Sequence, residues 1–153
     1  MKLRNVRRSL AVFGATAAAA VAVIAAPAPA QAHGGNWPGL LRLSPTKGSV
    51  NDNPMASYSA TKACPADHRT AGMVALAAPD GTSLRLSGNF VPTAARPSGT
   101  LDTALIFTVL AGNLTTGYYE VDVLCFNAAF ESVKADVNLI KIDVEAGTWK
   151  ALI

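Results

Sequence analysis

The side chains with the clearest capacity for chemistry in this 153-residue sequence are two cysteines, two histidines and the aspartate next to one of them. Cys64 and Cys125 are the only thiols, so each has a single intrachain partner. Cys125 ends the stretch Gly117-Tyr118-Tyr119-Glu120-Val121-Asp122-Val123-Leu124-Cys125-Phe126, which alternates with the period of a half-buried strand. That alternation puts Tyr119, Val121, Val123 and Cys125 on the inward face, and Tyr118, Glu120 and Asp122 on the other. A disulfide from Cys64 to Cys125 is expected, closing the loop from Pro65 to Leu124. On the chain-entropy model, constraining a loop of that length in the unfolded chain contributes about 4 kcal/mol.

The histidines suggest metal chemistry. Cleavage after Ala32 would make His33 an N-terminal residue whose α-amine and ring nitrogen chelate copper, the beginning of a histidine brace. Cleavage after Ala30 would put His33 third, where amine, backbone amides and imidazole form a square-planar copper or nickel site. A brace needs a second imidazole, and only His68 is present. Gly34-Gly35 predict a floppy end, and the expected reading is no metal and no cofactor.

Asp67-His68, four residues from Cys64, could be drawn as a Cys-His-Asp nucleophile set, which a disulfide at Cys64 would forbid. No G-x-S-x-G, phosphate loop or metal-spaced His/Cys cluster occurs. The carboxylates Glu120, Asp122, Asp136, Asp143 and Glu145 fall mostly on outward strand positions and read as solvated surface rather than a glycosidase pair. Asn113-Leu114-Thr115 matches a glycosylation acceptor, and a chance match is the favoured reading. Tyr118, Leu124, Phe126 and Ile106 would form an apolar patch if they face away from the disulfide. Packing beneath loops or a second sheet is the favoured reading.

The elements that hold these residues begin with a segment outside the fold. Lys2, Arg4, Arg7 and Arg8 precede an uncharged Ala/Val/Ile run from Leu10 to Ala26. Small residues in Pro27-Ala28-Pro29-Ala30-Gln31-Ala32 then form a cleavage-site pattern. Residues 1–32 thus read as a signal peptide and 33–39 as a flexible lead-in, with one domain over 40–153. Export through the general secretory route is expected, since Ser9-Leu10-Ala11-Val12 is less apolar than a twin-arginine signal wants.

Without the leader, nine basic residues face ten acidic ones. No basic stripe remains, so neither nucleic acid nor, after cleavage, a membrane is an expected partner. A monomer of about 120 residues is expected, freely secreted or held at the envelope only by noncovalent contacts, and large enough for a real core.

Short strands are expected near Leu40–Ser44, Met55–Cys64, Gly72–Ala77, Ser83–Phe90, Leu101–Leu110, Gly117–Phe126 and Val133–Val144. The last should carry a β-bulge where its apolar phase slips from Leu139 to Ile140. Val91 to Thr100, with two prolines, reads as an exposed loop, and Pro79-Asp80-Gly81-Thr82 as a hairpin turn. About seven strands with no sustained helical periodicity argue for an all-β sandwich.

Pro45-Thr46-Lys47-Gly48, Thr61-Lys62-Ala63-Cys64-Pro65, Gly117-Tyr118-Tyr119-Glu120-Val121 with Cys125-Phe126, and Gly147-Thr148-Trp149 together form a framework. It resembles the small secreted immunoglobulin-like domain proteins of high-GC Gram-positive bacteria such as streptomycetes. The resemblance implies an immunoglobulin-like β-sandwich at or near the cell envelope, with no catalytic residues to carry over. No Trp lies between the cysteines, and Val123 stands where a tyrosine corner would place Tyr.

The expected function is a non-catalytic binding or structural module, partnered by a protein or envelope component, that presents loops such as Val91–Thr100. The alternatives are a copper-binding protein using His33, or a loop-presenting enzyme inhibitor. Arg96-Pro97 would be a poor reactive bond for the latter.

Overall fold

The structure, a computed structural model, describes residues 38–78, 81–110 and 114–153. The expected signal peptide, His33, most of the lead-in, Pro79, Asp80 and Asn113 lie outside the described residues.

The described residues form nine strands and one short helix. They are β1 (Gly39–Ser44), β2 (Lys47–Ser49), β3 (Ser57–Ala60), β4 (Ala71–Ala77), β5 (Ser83–Arg85), β6 (Ser98–Thr100), α1 (Ile106–Leu110), β7 (Gly117–Phe126), β8 (Ser132–Asp143) and β9 (Thr148–Ala151). The chain is therefore all-β in character. The strands form one curled mixed sheet, a half-barrel, in the order β5-β4-β7-β8-β1-β3-β6, with β9 joining β8 and β2 joining β9. Alternation explains the curl. Leu41 and Leu43 of β1, Tyr58 of β3, Val74 and Leu76 of β4, Val121 and Val123 of β7, and Ile140 and Ile142 of β8 all turn to the concave side. There they share one core with Trp149.

Tyr119, Val121, Val123 and Cys125 are buried as their alternation requires. The hairpin of β4 and β5 forms across Gly81, whose φ of 86° suits glycine. At the start of β7 the Tyr119 hydroxyl accepts from Thr115 N–H at 3.0 Å and donates to Thr115 C=O at 2.8 Å. This ties the strand to its own entry turn in the manner of a tyrosine corner, six residues before Cys125 rather than two.

Four expectations are corrected. Leu101–Leu110 is not a strand; Ile106–Leu110 is helical, with Thr108 N–H and Val109 N–H both bonded to Leu105 C=O. Its apolar residues also fit a helical period. Leu105, Ile106 and Val109 pack on the core while Phe107 and Leu110 point outward. The Val91–Thr100 loop gives up its last three residues to β6.

The bulge in β8 is real but comes earlier. Val123 pairs with Asp136 and Leu124 with Lys134, leaving Ala135 as the extra residue. Phase thus slips at Ala135, and Asp136 and Asn138 turn inward although neither is apolar. Asp136, read as solvated, is completely buried.

Both inward polar residues serve the one parallel junction, where Gly39 and Leu40 of β1 lie beside Asp136 and Val137 of β8. Asp136 Oδ1 accepts from Thr61 N–H at 2.8 Å and from the Thr61 hydroxyl at 2.7 Å, while Oδ2 accepts from Lys62 N–H at 3.1 Å. Thr61 Oγ1 in turn accepts from Leu40 N–H. Asn138 Nδ2 donates to Leu41 C=O at 2.7 Å and to Ile153 C=O at 2.6 Å. Side chains thus supply the bonds that a two-residue ladder lacks. The fit requires Gly39, because a Cβ there would overlap Asp136 Oδ1 and Thr61 Oγ1.

Asp136→Asn replaces one acceptor oxygen with a donor facing N–H groups. It should lower unfolding free energy by about 1–3 kcal/mol in denaturant titration. Gly39→Ala should cost about 2–4 kcal/mol by displacing the same carboxylate; a neutral result for both would separate the junction from the fold's stability. In the β7–β8 turn, exposed Phe130 has a φ of 60°. Phe130→Gly should therefore raise stability by about 0.5–1 kcal/mol in the same assay.

Candidate functional site

Cys64 and Cys125 are bonded, with Cα atoms 5.8 Å apart and both residues buried. Cys64 follows β3 and Cys125 lies on β7, so the bond spans the half-barrel's interior between strands distant in the sheet order. This removes Cys64 from any nucleophile set. His68 Nδ1 lies 3.0 Å from Asp67 Oδ1 without a well-directed hydrogen bond elsewhere. That contact holds the exposed Asp67 carboxyl below its ordinary range. Among the described residues no group of His, Cys, Asp and Glu is gathered to hold a metal.

The anticipated apolar patch is divided. Ile106 packs against the core, whereas Tyr118, Leu124 and Phe126 lie on the convex face of β7. Asp122 shares that convex face but is nearly inaccessible, unlike the solvated carboxylate expected of it. Lys134 from β8 bonds Asp122 Oδ2 at 2.7 Å and the exposed Glu120 at 2.6 Å, and Asp122 Oδ1 has no partner. Burial pushes the Asp122 carboxyl above its ordinary value, against the pull of Lys134. Burial also works against the Lys134 charge, but its bonds to Asp122 and Glu120 outweigh that and raise it.

The two shifts point to opposite energetic signs for one pair. Asp122's side chain is 3% exposed and Lys134's 45%. The carboxylate's desolvation therefore sets the balance, leaving the pair little net stabilising value.

Farther along the same outer surface, β1, β3 and β6 carry a cleft. Arg42 of β1 pairs with Ser59 of β3, and Ser59 with Ser98 of β6. Directly paired residues share a face, so these three side chains form a row across the sheet, about 10 Å long at the usual strand spacing. Ser44, Ser57 and Thr100 form the next row on the same face. Arg96, from the loop entering β6, joins Arg42, Ser59 and Ser98 of the first row, with Ala60, Thr61 and Pro97, in lining a cleft of about 360 Å³. Pro97 is buried and its C=O accepts from Ala60 N–H at 2.8 Å, which fixes the loop. The Arg96-Pro97 peptide is thereby pinned against β3 rather than held out as a protease-inhibiting loop would be.

Thr61 completes the wall, linking the cleft to the Asp136 junction behind it. Arg42, Ser59, Arg96 and Ser98 are exposed, and no carboxylate lines the cleft.

No family model matches the chain, and no match was found among curated proteins or solved structures. The site is thus described by its own geometry.

Sequence reasoning named the loop but missed the cleft. Ser57-x-Ser59 and Arg42 carry an outward polar phase, yet nothing local tells that β1, β3 and β6 are neighbours.

The Asp122 shift has a pH signature. A folded-state value above the unfolded one means that the native state binds the extra proton. Stability from this group is then lost as pH rises from the ordinary value of 3.8 through the raised one. Lys134→Met removes the compensating cation. Its destabilisation should be small near pH 4 and grow to about 1–3 kcal/mol at pH 7; a pH-independent deficit in thermal melts would contradict the assignment.

Proposed function

We propose that the chain is an exported, non-catalytic binding module acting at or near the cell envelope, with the β1–β3–β6 face and its 91–97 loop as the recognition surface. The observation that carries the reading is the pairing of a buried disulfide with a concave, polar, solvent-facing site. A disulfide of this kind persists in oxidising compartments. The cleft's backbone is held by the β1–β3–β6 pairing and by the Ala60–Pro97 hydrogen bond, and two exposed arginines border it.

The resemblance to secreted immunoglobulin-like domains fits this reading at a finer level. β1–β3–β6 would act as one layer, β5–β4–β7–β8 as the other, and Cys64–Cys125 as the bond between layers. The Tyr119 corner supports the same assignment.

The full chain, expressed in a streptomycete, should appear in the medium with its N-terminus between residues 31 and 33 and both cysteines oxidised by mass spectrometry. It should also cosediment with washed cell walls of that host. Ser59→Trp fills the cleft from an exposed position, so it should leave the melting temperature unchanged and abolish cosedimentation. Retention inside the cell would overturn the export reading. Undiminished wall binding by Ser59→Trp would remove this face from the function.

A further inference from the structure

We infer that the Arg42–Arg96 cleft is a binding site for a hydroxylated anion, the chemical class of sugar acids and sugar phosphates. The inference rests on the proposed function above, whose recognition surface it supplies with a ligand.

The case begins with charge. Two guanidiniums border one small concavity, and no acidic side chain lines it. Each guanidinium carries a planar fork of donors that matches a carboxylate or phosphate in two bonds at once. Arg42 has no ion pair among the described residues, and neither does Arg96. The nearest buried carboxylate, Asp136 behind Thr61, is already occupied by two backbone N–H groups and a hydroxyl. Asp102, beyond the second row, accepts from the Thr100 hydroxyl. Neither competes for the arginines.

The hydroxyls narrow the ligand further. Ser59 and Ser98 continue the row that Arg42 begins and are exposed, and a hydroxyl both donates and accepts. The Thr61 hydroxyl spends its one proton on Asp136 and already accepts from Leu40 N–H, so it has no proton to offer an anion. A ligand with one anionic group and neighbouring hydroxyls satisfies both kinds of wall. A neutral sugar leaves the guanidiniums unmatched and finds no aromatic platform among the lining residues. Nucleic acid fits poorly, because beyond residue 32 the chain has more acidic than basic groups and the paired arginines are an isolated feature. At about 360 Å³ the volume is at the small end of ligand sites and suits one sugar-sized unit.

The test is a titration of the isotope-labelled mature chain followed by amide chemical shifts, with glucuronate, glycerol 3-phosphate, inorganic phosphate and glucose as probes. Glucuronate or glycerol 3-phosphate should bind saturably, with Kd of roughly 1 mM, moving the amides of Ser59, Ala60, Thr61 and Ser98. The tighter of the two identifies carboxylate or phosphate as the preferred anion. Arg42→Gln and Arg96→Gln should each weaken binding roughly tenfold, while Arg85→Gln, on the far edge strand β5, should not.

Glucose should produce no saturable shift, and inorganic phosphate should bind more weakly than the hydroxylated anion. No saturation with either anion overturns the inference, as does equal loss in Arg85→Gln, or inorganic phosphate binding as well as the rest. If Ser59→Trp abolishes wall binding but the arginine variants leave it intact, the ligand class falls and the recognition surface stands.

Discussion

A single buried carboxylate joins the two parts of this sheet. Asp136 lies where β8 hands over to β1, and its oxygens collect the Thr61 and Lys62 amides and the Thr61 hydroxyl. The backbone ladder at that point is only two residues long. A carboxyl group out of water is tolerable only when its lone pairs are met by donors, and here they are met by a segment 75 positions away in sequence. β1, β3 and β6 are placed against the rest of the half-barrel by that arrangement, aided by Asn138 and the disulfide. The cleft sits on those three strands, so its geometry depends on a group that never reaches the surface.

The contrast with Asp122 shows that burial alone does not define a structural acid. Asp122 is almost as inaccessible, yet one of its oxygens has no partner and the other depends on a half-exposed lysine. Asp136 is held by rigid backbone amides. The first arrangement leaves its proton sensitive to the surroundings, whereas the second fixes a junction. Their environments differ because one acid lies on the convex face and the other at a strand crossing.

Much of the architecture was legible in local pattern. The period of two in residues 117–126 identified β7, its inward face and the Cys125 thiol, and two cysteines admitted only one bridge. Local pattern failed where two periods fitted the same residues. Residues 101–110 satisfy strand alternation and a helical turn alike, and packing of Leu105 and Val109 on the core decided for the helix. It also failed at β8. The apolar sequence located a phase slip at Leu139, but burying the polar pair Asp136 and Asn138 moved it to Ala135. A polar residue turned inward is invisible to a hydrophobic pattern, and its partners come from loops whose proximity only the folded chain defines. The cleft was hidden for the same reason, since its row is assembled from three strands separated in sequence.

The parallel junction also constrains the order in which the molecule can be completed. Gly39 and Leu40 pair with residues 136 and 137, so a chain growing from its N-terminus can lay β1 beside β3 early but cannot form this junction until β8 has been made. Until then Leu41 and Leu43 have no β8 to lie beside, and closure of so long a loop is intrinsically slow. The nascent polypeptide thus keeps one edge of its β1 segment uncovered for most of its synthesis, the interval in which holdase chaperones act on such chains.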